Sequence, residues 1–227
     1  KVGGSLYDAY MRKYAGVNPE TGQAQWYMKE YDADGNYTGD AVTTVFSDAD
    51  QYELGTVMPK LYGGFGTTLR VYGFDFSAQF SYQLGGKYYD GTYQSLMHTN
   101  SGSAGNAWHV DVLNSWTPEN TNTNIARLDG ATSEGQTAVD RYLISSNYFS
   151  INNVTLGYTL PKKLTNKIGI EALRVYVSGD NLAVVSARKG VDPRFSMGLG
   201  SYTSGSGLNS GNYSAMRTIA GGITLTF

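Results

Sequence analysis

The sequence predicts an all-β fold: the last five to six strands of an antiparallel up-and-down transmembrane β-barrel, with long extracellular loops. Three observations predict it. Apolar and polar residues alternate over segments of bilayer-crossing length. The final segment alternates to its last residue, Phe227. Connections between these segments run short, long, short, long. Successive side chains of a strand point to opposite faces, so alternation marks a strand with one apolar and one polar side. A membrane barrel strand carries this pattern over about 9–11 residues.

The elements follow in order. The region up to Pro59 is mixed, with a partial strand near Ser5 to Tyr14 and a hairpin in "WYMKEYDADGNYTGD". Two long strands fill Lys60 to Asp90. In the first, Leu61, Gly63, Phe65, Thr67, Leu69 and Val71 share a parity. Tyr72-Gly73 is a very short turn. In the second, Phe74, Phe76, Ala78, Phe80, Tyr82 and Leu84 oppose Asp75, Ser77, Gln79, Ser81 and Gln83. A further strand runs from Asn147 through Val154, Leu156, Tyr158 and Leu160, and Pro161 ends it because proline cannot donate to a ladder. After a lysine-bearing connection, another strand starts near Leu173, with Val175 and Val177 on one face. The phase slips around Asn152-Asn153 and again around Gly179-Asn181, where bulges or strand ends are expected. In the last strand Ile219, Gly221, Ile223, Leu225 and Phe227 face one way, and Thr218, Ala220, Gly222, Thr224 and Thr226 the other.

Long polar stretches, Gly91 to Ser146 and Ala187 to Asn212, separate the strand blocks. If strands run up and down, the short turns gather at one end and the long loops at the other, as in outer-membrane barrels. The soluble alternative is a β-sandwich, which has no reason to sort loop lengths by end. In the barrel reading Phe74, Phe76, Phe80, Leu84, Ile223 and Leu225 face lipid, and Asp75, Gln79 and Gln83 face the lumen. Tyrosines near strand ends suit an aromatic girdle.

Composition narrows the function classes. The formal charge of −2, with 16% charged residues, gives no basic stripe for nucleic acid. No run approaches the ~20 apolar residues of a membrane helix. The lack of cysteine removes disulfides, thiolate metal sites and cysteine catalysis. The opening "KVGGSLYDAY" has no charged segment followed by an apolar one, so an exported protein of this sequence is expected to be mature or a fragment.

Candidate sites are few. Asp32, Asp34 and Asn36 have the spacing of a calcium loop. Tyr37 stands where the sharp-turn glycine belongs and Thr43 where the bidentate glutamate belongs, so a polar hairpin tip is expected and no metal site. "YGGFGTT" lies inside a strand and lacks a following Lys-Ser/Thr, which argues against phosphate. His98 and His109 read as loop residues, and no constellation positions carboxylates for catalysis. The expectation is a non-enzyme without catalytic residues or cofactors. Trp108, Trp116 and Tyr202 lie in the expected outer loops among Asn, Ser and Gly. They are candidate ligand-binding residues, because flat aromatic faces stack on sugar rings; packing of the loops is the competing reading.

Several segments resemble one family. "YAGVNPETGQAQWY", "MPKLYGGFGTTLRVYGFDFSAQFSYQLGGKYYD", "SSNYFSINNVTLGYTLPKKL" and "LRVYVSGDNLAVVSARKGVDPR" are similar to stretches of SusC/RagA-type TonB-dependent transporters of the Bacteroidetes. The resemblance is ordered along almost the whole chain and covers the C-terminal part of such a transporter, with the plug domain and earlier strands absent. Strand count agrees: five or six strands are fewer than the about eight of the smallest membrane barrels and the about 22 of plugged transporters. The resemblance implies TonB-energised nutrient import across the cell outer membrane, of oligosaccharides or peptides, beneath a SusD-like surface lipoprotein. It also implies that Phe227 serves as an assembly signal. A passive porin and a soluble carbohydrate-binding sandwich are the rival readings.

Overall fold

The computed structural model describes residues 3–5, 7–97, 107–128, 139–195 and 214–227. The strands in chain order are β1 Asp8–Arg12, β2 Tyr14–Val17, β3 Ala24–Tyr31, β4 Tyr37–Thr43, β5 Gln51–Thr56, β6 Leu61–Val71, β7 Phe74–Leu84, β8 Lys87–Tyr89, β9 Leu143–Ser145, β10 Tyr148–Thr159, β11 Ala172–Ser186 and β12 Thr218–Thr226. Two short helices join them, α1 Gly91–Leu96 and α2 Lys162–Thr165. The chain forms two compact units. The first takes in the described residues of Lys1–Met58 and Lys87–Ile144; the second those of Pro59–Gly86, Ser145–Phe195 and Tyr213–Phe227.

The second unit is one antiparallel sheet in which strands consecutive within the unit are neighbours, in the order β6-β7-β10-β11-β12. It is the up-and-down meander expected from the alternation. The Tyr72-Gly73 turn and the Leu160–Glu171 connection lie at one end of the sheet, and the long excursions leave from the other. Tyr72 and Gly73 both have positive φ, 47° and 89°. Such a turn matches the right-handed twist of the strands it joins. A side chain on Gly73 would also meet the Thr159 carbonyl at 2.8 Å. Pro161 ends β10 as expected, but the lysine-bearing connection is helical: α2 is followed by a 3-10 turn over Asn166–Ile168.

Both expected phase slips are real. Between Ile151 and Asn153 the register of β10 shifts against both neighbours, leaving Asn152 as the extra residue. Opposite it, β11 places Asn181, at φ 50°, and Leu182 between the paired positions. One inserted residue reverses side-chain parity. Phe149 and Ile151 therefore share a face with Val154, Leu156 and Tyr158, although their numbers differ in parity.

The expectation of a sixth strand near Ser5 to Tyr14 is corrected. That segment holds β1, which pairs with β5 in a two-stranded sheet of the first unit, and β2, which leads the β2-β3-β4 sheet. Alternation there does record a strand, but local pattern cannot say which sheet a strand joins. The expected hairpin is β3-β4. Its tip is closed by Asp32, whose carboxylate accepts from the Asp34 and Asn36 amides at 2.9 and 2.8 Å.

The first unit has its own apolar core, which includes Met11, Trp26, Met97, Val112, Ala126 and Tyr142. Described residues of the long polar stretch after β8, Met97, Val112, Ile125, Ala126, Val139 and Tyr142, contribute to this core. The stretch enters through α1, capped by the Asp90 carboxylate on the Tyr93 amide at 2.9 Å, and continues through a 3-10 turn over Val110–Asn114. The Tyr14 amide donates to Asp140 at 2.7 Å, joining positions 126 residues apart.

Candidate functional site

The five-stranded sheet has two chemically distinct faces. Register places Leu69, Phe76, Leu156, Val177 and Gly221 in one row, and Val71, Phe74, Tyr158, Val175 and Ile223 in the next. Leu61 pairs with Leu84, Phe65 with Phe80, and Leu173 with Leu225 on the same face. Aromatic rings bind it laterally: Phe65 and Phe80 stack at 5.0 Å, and Phe74 meets Tyr158 at 4.5 Å. This face is apolar across every strand, yet Phe65 is 56% exposed, Leu69 59% and Ile223 66%. Burying one such side chain is worth about 1.5–3 kcal/mol. A soluble sandwich would cover this face with a second sheet. All five strands lie in one sheet, and the face stands open.

The opposite face is polar. Asp75 on β7 and Arg174 on β11 pair across the intervening β10, with Nε–Oδ1 at 2.8 Å and Nη2–Oδ2 at 2.5 Å. They meet over Gly157, where any Cβ would lie 2.5 Å from both side chains. The Arg174 guanidinium also lies over the Tyr176 ring at 4.9 Å, and that ring covers Gly222. Nearer the other end, the Asn153 amide donates to Asp180 at 2.7 Å.

A second ion pair lies beyond β11. Arg194 donates to Asp192 twice, at 2.9 and 2.7 Å. Its remaining nitrogen reaches the bulge: Ser150 Oγ at 2.8 Å, Asn152 Oδ1 at 3.3 Å and Asn181 Oδ1 at 3.4 Å. The Asp192 side chain is only 3% exposed. Burial pushes its pKa up, but the bonds from Arg194 outweigh this and leave it below the usual value. The Ser214 hydroxyl donates to the Gly190 carbonyl at 3.0 Å, so the approach to β12 is fastened here too. The bulges and the Gly-Val-Asp-Pro-Arg stretch therefore form one latch.

Of the aromatic candidates, Trp116 is engaged within the first unit. Its indole N–H donates to the Pro19 carbonyl at 3.0 Å, and its ring fills the space where Gly22 would carry a side chain. Trp108 is 49% exposed. Tyr202 and His98 lie outside the described residues. His109 caps the 3-10 turn by accepting from the Asp111 amide at 3.1 Å, and its ring meets Tyr93 at 4.7 Å. Phe227 stands one residue past β12 and is 85% exposed.

Comparison with known proteins gives this sheet its context. No family model matches the chain. TonB-dependent receptor P3 of Formosa agariphila is 32% identical over 184 residues, covering 80% of this chain and 18% of that protein. TonB-dependent receptor P26 of the same organism is 29% identical over 187 residues, again 18% of its own length. A solved structure of the RagAB peptide transporter superposes on 96% of this chain with a TM-score of 0.73 and 27% identity, and the match takes in 22% of that solved chain. The RagAB importer in its open-open state gives a TM-score of 0.65 at 26% identity.

The chain is a SusC/RagA-type TonB-dependent receptor segment. It spans about a fifth of the relatives it matches. The family is one of outer-membrane β-barrels, and the five-stranded sheet of this receptor segment is part of such a barrel. Sequence reasoning placed Asp75 on the polar face but did not give its pairing with Arg174. Asp75 and Arg174 lie 99 positions apart, and no spacing rule joins them. The Asp-Pro-Arg of the latch does carry a signal, because it sits in one of the stretches that resemble the family.

Proposed function

We propose that the parent protein imports a nutrient, a peptide or an oligosaccharide, across the outer membrane, energised through TonB and lidded by a SusD-like surface lipoprotein. The relatives named TonB-dependent receptors and the RagAB peptide transporter support the importer reading. The observation that carries this chain's part in it is the open apolar face that runs across all five strands. This segment supplies barrel wall. Phe74, Phe76, Phe80, Leu84, Ile223 and Leu225 meet lipid, Asp75 and Arg174 face the lumen, and the remaining strands and the plug come from the rest of the parent. The half-exposed Trp108 is the described aromatic best placed to touch a ligand, and Phe227 acts as the assembly signal.

The test is uptake of labelled peptides and oligosaccharides by cells expressing the parent, with and without TonB. Loss of uptake in the TonB-deficient cells is expected. Equal uptake in both would make the parent a passive porin. Co-purification of a surface lipoprotein with the parent is the matching test of the lid.

A further inference from the structure

We infer that the helical connection between β10 and β11 binds the headgroup of an anionic phospholipid, with Lys163 and Lys167 holding its phosphate and Leu164 entering the acyl layer beside it. The inference rests on the reading of this sheet as barrel wall. The connection, Leu160–Glu171, carries three lysines, Lys162, Lys163 and Lys167, against one carboxylate, Glu171, in a chain whose formal charge is −2. All three lysines are exposed, and none forms an ion pair or a side-chain hydrogen bond among the described residues. Leu164, between them, is 55% exposed, and water offers an apolar side chain nothing. Thr165 is the buried residue of this turn. Two residues rotate a helix by about 200°, so Lys163 and Lys167, each two positions from Thr165, both stand on its outward side. Like charges about one turn apart repel, and a shared anion reverses the sign of that interaction.

The connection is fixed to the end of the wall. The Leu160 amide donates to the Leu173 carbonyl at 2.8 Å, the Ile170 amide to Thr165 at 3.2 Å, and the Glu171 amide to Thr226 at 2.9 Å. The apolar face runs out to this end, where Phe74 and Tyr158 pack together, and Tyr72 in the neighbouring turn is exposed. Aromatic rings gather where acyl chains give way to headgroups, and the lysines follow Tyr158 directly in the chain. Continuity with the lipid-facing side and the surplus of positive charge together single out a lipid phosphate. The helix does not account for these lysines, since Lys162 and Lys163 open α2, the end at which cations are unfavourable. A lysine carries its charge on a flexible apolar stem, which suits a headgroup that moves with its bilayer.

The experiment uses the full parent in phosphatidylcholine nanodiscs, with a fluorophore attached through Asn166→Cys, an exposed position of the connection, and any other cysteine of the parent replaced. Phosphatidylglycerol or phosphatidylcholine brominated near the top of the acyl chain is titrated in, and contact quenching reads which lipid sits there. Phosphatidylglycerol is expected to half-quench at a mole fraction at least about tenfold lower, given roughly fivefold for each lysine at a headgroup. Lys163→Gln with Lys167→Gln is expected to remove this preference and Lys163→Arg with Lys167→Arg to keep it, with heat-modifiable mobility checking that each variant is folded. Equal quenching by the two lipids in the wild type would overturn the inference, and so would a preference that survives in the folded glutamine variant. Sodium phosphate in place of sodium chloride of equal ionic strength is expected to leave the preference intact; its loss there would make this a site for a free anion, against the inference. A second reporter, through Ile223→Cys, separates the two readings. Quenching at position 223 but not at 166 overturns the headgroup inference alone, and quenching at neither overturns the barrel-wall reading beneath it.

Discussion

Gly157 is small because two other side chains meet above it. A Cβ there would lie 2.5 Å from the Arg174 guanidinium and from the Asp75 carboxylate. Both are ends of flexible side chains, so the strand can keep its path while the pair moves. Gly157→Ala in the parent is expected to cost about 1 kcal/mol, and much less in an Asp75→Asn, Arg174→Gln background. A double-mutant cycle on urea unfolding measures the difference; equal costs in both backgrounds would show that the glycine serves something else. Asp192 makes a second residue-scale statement. Its folded pKa lies below the ordinary 3.8, so its contribution to stability is complete above that value and is lost as pH falls through the folded pKa. A carbon-13 NMR titration of Asp192 in the detergent-folded parent is expected to show a midpoint under 3.8 that rises in Arg194→Gln.

At the scale of elements, the bulge in β10 keeps one face apolar along a strand whose sequence changes phase. Asn152 is the inserted residue, and its side-chain oxygen accepts from Ser81 at 3.2 Å, from Ser150 at 2.7 Å and from Arg194 at 3.3 Å. Deleting Asn152 moves either Phe149 and Ile151 or Val154, Leu156 and Tyr158 to the polar face. Folded parent in outer-membrane fractions, read by heat-modifiable mobility against total protein, is expected to fall sharply, whereas Asn152→Ser retains the phase and most of the folded material. On β12, Leu225 shares the apolar face with Leu173, and Thr226 faces the other way beside Ala172. Leu225→Asp is expected to lower the folded level by placing a charge on the apolar face, and Thr226→Ser to leave it almost unchanged. Equal folded levels for these two variants would contradict a lipid-facing role for Leu225. Deleting Phe227 from the parent tests the assembly signal in the same assay.

At the scale of the whole molecule, the chain divides its apolar residues between two purposes. The sheet unit exposes its apolar face, while the other unit buries Trp26 at 2% exposure and Tyr142 at 0%. Trp26 packs edge-on against Phe46 at 5.0 Å and against Tyr14 at 6.5 Å. Removing so large a buried side chain costs about 3–5 kcal/mol. Trp26→Ala is accordingly expected to lower hydrogen-exchange protection through β1 to β5 of the parent. Unchanged protection there would mean that the core of this unit does not depend on its tryptophan.

The sequence by itself determined the strands of the sheet, their ends at Tyr72-Gly73 and Pro161, the phase slips, and the two-faced character of the wall. Each of these follows from properties local to a few residues: alternation of side chains, positive φ at a turn, a missing amide. It also determined the family, through stretches that stayed in order along the chain. Only the tertiary structure decided that β1 pairs with β5 outside the barrel sheet, since a strand's pattern fixes its faces but not its partner. Only the tertiary structure turned the polar stretch after β8 into part of a core, because its contacts join positions such as Tyr14 and Asp140 that no period connects. The Asp75–Arg174 pair and the latch at Arg194 were decided in the same way: a charged side chain records its chemistry in the sequence, but its partner is set by how strands lie side by side.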